Sequence, residues 1–264
     1  VPAAIKMQNE FGSDVQVVLC EAQGATDSKM KSFALDKGWL GNNVIWTSER
    51  VASTGMRGIP NYVLLDSSGV IVMKGYSTRD HSKIVKKLEQ MAKSGREWPK
   101  GTPSSITKIY RELDKGNYAK AIVEANKTIE KPGSKDPHTT VALAEAAIIN
   151  INSAIERQFA RIDWLASNGY PYRAKEINAL MMSGLKGADE ALYANAKQWK
   201  EKFDSSEMKP EFAAAKAINK IEAKLFDDGR DDKLAKSIDK LGDKHAGTNA
   251  AKRLDTLRSL NSGR

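Results

Sequence analysis

The stretch Thr54–Tyr76, TGMRGIPNYVLLDSSGVIVMKGY, constrains the chain path more than any other in the sequence. Gly58-Ile59-Pro60 must turn, because proline fixes its own φ and donates no backbone hydrogen bond, while glycine enters conformations other residues avoid. NYVLLD and VIVMKGY, rich in β-branched and apolar residues, read as two strands, and the Ser-Ser-Gly between them folds them into a hairpin. TRDHSKIVKKLEQMAKSG follows at helical spacing, with Ile84, Val85, Leu88 and Met91 on one apolar stripe above a basic face.

The preceding residues alternate in the same way. DVQVVLCEA reads as a strand, and TDSKMKSFALDKG as a helix with Met30, Phe33 and Ala34 at helical spacing, Thr26 or Asp27 as its cap and Gly38 as its stop. NVIWTSE is a short strand and RVASTG a single helical turn. Cys20 ends an apolar strand whose faces, Val15/Val17/Leu19 and Val18/Cys20, suit burial on both sides, so its thiol is expected to pack as a small hydrophobe rather than react.

SGREWPKGTPSS, rich in Gly, Pro and Ser, marks a seam. From Ser104 onward the pattern is helical, and the breaks KPGSKDP, SNGYP, SGLKG, SSEMKP, DDGRDD and KHAGT delimit six or seven helices. The expected organisation is an α/β domain over residues 1–94, a linker over 95–103 and an all-helical domain over 104–264. No strict period of about 34 residues is present, so a divergent helical-hairpin array and a plain bundle fit the pattern equally.

Charge and special residues narrow the function classes. The net charge is +9, but the first 100 residues hold 14 basic against 10 acidic residues, so the excess is spread along the chain. Aromatic residues do not interleave with the basic face of HSKIVKKLEQMAK, and no specific nucleic-acid partner is expected. No apolar run approaches the roughly 20 residues of a bilayer span, nor does a basic segment lead into an apolar signal core. One cysteine excludes a disulfide within the chain. His81, His138 and His245 are too widely spaced for a metal cluster, and Asp227–Asp232 lacks the acid spacing of a calcium loop, reading instead as a helix end and a new cap. The five tryptophans are scattered and expected to be packing anchors, so neither metal nor organic cofactor is implied.

MRGIPNYVLLDSSGVIVMKGY resembles the thioredoxin superfamily, in which a Gly-Ile-Pro or similar turn precedes two antiparallel strands and a final helix. VPAAIKMQNEFGSDVQVVLC is similar to the family's segment after its Cys-x-x-Cys motif, with Pro2 as the kinking helix proline, Glu10 and Phe11 as the helix end, and Val15 to Cys20 as the strand. The longer connection EAQGATDSKMKSFALDKGWLGNNVIWTSE resembles extracytoplasmic reductases of the TlpA and ResA type and peroxiredoxin-like relatives. The resemblance covers about the first third of the chain. LDKGNYAKAIVEANKTI, farther on, is similar to a tetratricopeptide helix pair.

The resemblance implies an α/β thioredoxin-like fold lacking its first strand and Cys-x-x-Cys segment, followed by an all-α helical-hairpin or bundle domain. It implies reactive cysteines just ahead of Val1, where a helix N-terminus favours the thiolate. Pro60 is then cis, and Gly58, Ile59 and Pro60 form a substrate-binding loop whose exposed backbone pairs with an extended peptide. The function implied is thiol-disulfide oxidoreduction in an extracytoplasmic or periplasmic compartment, with a helical domain for a protein or peptide partner. A non-catalytic interaction scaffold is the alternative, and a peroxiredoxin-like peroxidase a third reading. No catalytic residue lies in the chain itself, and the oligomeric state stays open.

Overall fold

The computed structural model describes residues 1–66, 69–94, 101–133 and 136–263, and among these the chain forms eleven α-helices and four short strands. The order begins α1 (Pro2–Phe11), a 3-10 turn (Gly12–Asp14), β1 (Val18–Cys20), α2 (Asp27–Asp36), β2 (Ile45–Thr47), β3 (Asn61–Leu65), β4 (Ile71–Tyr76) and α3 (Ser77–Ser94). It continues with α4 (Ser104–Asp114), α5 (Tyr118–Glu130), α6 (Pro137–Ser167), α7 (Pro171–Gly184), α8 (Glu190–Asp204), α9 (Met208–Asp228), α10 (Asp232–Lys244) and α11 (Lys252–Ser262).

The strands do not build the expected thioredoxin-like sheet. β1 runs parallel to β2, Val18 opposite Ile45, whereas β3 and β4 pair antiparallel, Asn61 opposite Tyr76, with an irregularity at Leu64/Leu65. Among the described residues these remain two separate two-stranded sheets. A strand buried on both faces needs a neighbour at each edge and helices above and below. β1 has three residues and one neighbour, and Val18 and Ile45 stay 37% and 48% exposed. The expectation of an α/β thioredoxin-like fold with a helical domain appended is thus overturned by a predominantly helical chain.

Several local expectations change with it. Pro2 is the first residue of α1, where a missing N–H costs nothing. RVASTG forms no helical turn. Phe33, placed on the apolar stripe of α2, is 54% exposed, while Met30 and Ala34 are buried. Among the described residues eight helices rather than six or seven follow residue 103, the Lys115–Asn117 turn separating α4 from α5. Ser67, Ser68 and residues 95–100, including Trp98, lie outside the described residues.

Local chemistry explains the helix boundaries. Thr26 caps α2 by accepting from the Lys29 N–H, and Asp136 caps α6 by accepting from the Thr139 N–H (3.1 Å). Proline opens both α6 and α7.

The chain divides into two compact units. The first comprises Val1–Trp98, Ile221–Lys236 and Thr256–Arg264, and the second Pro99–Lys220 and Ser237–Asp255. Segments of the C-terminal helices, which the sequence places with the helical domain, therefore cluster with the N-terminal elements. In the first unit Met30, Ala34, Leu35, Ile84 and Leu88 are buried. Gln8, 4% exposed, ties α1 to β1: its side-chain amide donates to Gly12 O (2.9 Å) and Val15 O (2.8 Å), and its oxygen accepts from Val17 N (2.6 Å).

In the second unit α4 packs on α5 and α6, α5 on α6, α6 on α7 and α7 on α8. Ile109, Ile151, Ile155, Ile162 and Met181 fill the core between these helices, and each such side chain contributes about 1.5–3 kcal/mol when fully buried.

Candidate functional site

The Gly58–Pro60 loop is held from three sides. The Asn61 side-chain amide donates to Gly58 O (2.8 Å), the Tyr76 hydroxyl donates to Arg57 O (2.5 Å), and the Ser77 N–H at the start of α3 donates to Pro60 O (3.2 Å). Asn61 and Tyr76 are opposite each other in the β3–β4 register, so the hairpin positions both clamps. Gly58 adopts φ 92° and the Ile59–Pro60 peptide is cis. The loop's shape follows from its neighbours rather than from its own hydrogen bonds.

Within that frame Ile59 is presented outward. Its side chain is 52% exposed, and among the described residues neither its N–H nor its C=O carries a hydrogen bond. Backbone polar groups seek partners, so a residue left in this state on a rigid loop offers one rung of a β-type pairing to an incoming extended chain. Gly58 and Pro60 are exposed beside it.

Four residues that escaped notice in the sequence shape the surroundings: Arg57, Lys74, Tyr76 and Arg79. The Arg79 guanidinium lies 4.6 Å from the Tyr76 ring centroid, and the Lys74 ammonium reaches to about 4.0 Å from where a Cβ on Gly55 would stand. Tyr76 was legible as a partner of Asn61 once the hairpin was drawn; the cations were hidden by their ordinary appearance in a turn, on a strand and on a helix. Beneath them, burial first and then the adjacent Asp80 carboxylate push the Tyr62 phenol above its usual range.

The remaining candidates lie elsewhere. Cys20, expected to be buried, is exposed at the end of β1 opposite Thr47, because the strand stops there and has a neighbour on one side only. It is not brought to the proline loop by any strand ladder among the described residues. His81 and His138 are exposed and His245 is half-buried, and among the described residues no group of three His, Cys, Asp or Glu is placed to hold a metal ion. A shallow cleft of about 480 Å³ lies between α1 and the turn after α2, with Ile5, Asn9 and Trp39 in its walls; no loop residue lines it. Among the described residues no helix is long and apolar enough to cross a membrane.

Comparison of the chain with protein-family models, with curated proteins and with solved structures gives no match.

Proposed function

We propose that the chain is a protein- or peptide-binding module that docks an extended polypeptide segment on the Gly58-Ile59-Pro60 loop. The observation that carries this reading is the Ile59 backbone, exposed and without a hydrogen bond among the described residues, on a loop fixed by Asn61, Tyr76 and Ser77. Pre-fixing the loop matters because ordering it on binding would cost roughly 1–2 kcal/mol per residue. Titration of isotopically labelled protein with extended valine- and threonine-rich peptides tests it. Chemical-shift changes should centre on Arg57–Asn61 and on the Tyr76–Thr78 corner. Changes confined to other segments would sink the reading.

Thiol-disulfide exchange is a second reading, favoured by the order of proline turn, hairpin and helix. The docked segment would then carry a disulfide. An attacking thiolate forms a mixed disulfide with one sulfur and releases the other as a thiolate, and a second cysteine resolves the intermediate to leave substrate dithiol and an oxidised protein pair. Cys20 is one thiol on β1 and supplies no pair. This reading requires a reactive pair ahead of Val1, and a product bearing such a pair should reduce insulin disulfides. Cysteine-free sequence ahead of Val1 would rule this chemistry out.

A further inference from the structure

We infer that the segment docked at Ile59 is acidic as well as apolar. The inference rests on the docking reading above and adds the chemistry of the partner. Between residues 50 and 79 the chain carries four cations, Arg50, Arg57, Lys74 and Arg79, against a single acid, Asp66. Asp66 sits at the far end of the hairpin, where its carboxylate accepts from the Val70 N–H (3.0 Å). Three of the cations gather around the loop through contacts already described. Arg57 adjoins Gly58, its carbonyl is gripped by the Tyr76 hydroxyl, Arg79 lies over the Tyr76 ring, and Lys74 points at Gly55.

All three side chains belong to exposed residues, and among the described residues none has a carboxylate partner. The nearest acid on α3, Asp80, is turned inward: its side chain is 20% exposed, faces Tyr62 and pairs with Lys83 at 3.4 Å. The α3 N-terminus beside Pro60 adds a further positive potential, since its first N–H groups have no partners within the helix. An exposed apolar side chain on a loop whose neighbouring residues include unneutralised cations complements a segment in which one or two apolar residues alternate with Asp or Glu. Pairing along the backbone would set the strand, Ile59 would receive the apolar residue, and the cations would select carboxylates on either side.

The test uses the whole chain and a fluorescein-labelled peptide of about eight residues alternating Val with Glu, beside versions with Gln or Lys replacing Glu, read by anisotropy. The Glu peptide should bind about tenfold more tightly than the Gln peptide and lose that advantage as salt rises. Arg57→Ala, Lys74→Ala and Arg79→Ala should each weaken it about threefold while leaving the Gln peptide unchanged, as expected for exposed charge contacts. Equal binding of all three peptides, lost in Ile59→Ser, would overturn the acidic preference and leave docking standing. Binding of none of the peptides would overturn both readings. Binding of phosphatidylserine vesicles or duplex DNA with no response to the Glu peptide would likewise overturn the inference and assign the cations to a polyanion surface. All the substituted side chains are exposed, and unchanged far-ultraviolet circular dichroism confirms that each variant is folded.

Discussion

The Arg230 guanidinium donates to the Asp36 carboxylate, joining residues 194 positions apart within the first unit. The same side chain donates to Leu260 O through Nε (2.9 Å) and to the carbonyl and hydroxyl oxygens of Ser32. One planar group thereby ties α2 to the start of α10 and to α11.

Replacing Arg230 by Ala should lower the stability of the first unit by about 1.5–3 kcal/mol, the range for hydrogen bonds to charged groups, discounted toward the lower end because Asp36 is half exposed. Arg230→Lys should recover little, since an ammonium cannot reproduce a fork reaching three directions. Hydrogen exchange at the α2 amides reads the effect. Unchanged protection there would mean the contact is idle.

Gln8→Ala should cost about 1–2 kcal/mol, because it leaves the part-buried Val15 O and Val17 N and the more exposed Gly12 O without their side-chain partner. Gln8→Glu should be nearly as harmful: it keeps the acceptor for Val17 but loses both donors. Urea midpoints of the two variants within a few tenths molar of the parent would show that water replaces the amide.

These two anchors show where reading the sequence stops. Thr26 as a cap, the helix breaks at the Gly- and Pro-rich stretches, and the hairpin around Asp66 are set by residues within a few positions of one another, and they are visible in the letters. Arg230 and Ser32 are not, because nothing in DDGRDD announces a partner on α2. The sheet was misjudged for a related reason. An apolar β-branched run states that a strand forms, but how many neighbours it has depends on chain far away. For β1 there is one among the described residues, and Cys20 and Val18 are exposed. At the proline loop the turn was legible, while the cations around it became meaningful only after Tyr76 had been placed between Arg57 and Arg79.

Gly169→Ala should destabilise the second unit by ~3 kcal/mol or more. Gly169 has φ +82°, and an added Cβ would stand 2.5 Å from Ala250 Cα and 2.8 Å from Asn249 O, neither of which is a flexible side chain. Gly187, with φ +86° and open space around it, is the control: Gly187→Ala should cost only about 1 kcal/mol of backbone strain. Similar thermal midpoints for the two variants would contradict this packing.

Asp204 should remain ionised at pH 3. Hydrogen bonds from Lys175 (2.6 Å) and then Lys200 (2.8 Å) hold its pKa at about 2, below the ordinary 3.8. A folded-state value below the unfolded one stabilises the chain above about pH 4, and that contribution fades as the pH falls through 2. Asp204→Asn should therefore lower the thermal midpoint at pH 6 and converge with the parent toward pH 2. A side-chain carboxyl resonance titrating near 4 in the parent would refute the pairing.

The division of the chain between its two units sets an order of events during synthesis. The first 98 residues leave the ribosome before the helical unit, but the residues that complete their packing, Ile221–Lys236 and Thr256–Arg264, come after it. α2 waits for Arg230, and Arg230 waits for Leu260. The helical unit draws most of its residues from one continuous run and can gather its core in sequence, whereas the unit bearing the proline loop closes only once Ile221–Lys236 and Thr256–Arg264 have been made. A stop codon placed shortly after residue 220 would leave that loop on an unfinished body, and its exposed β1–β2 pair would be a site where chaperones and proteases find the nascent chain first.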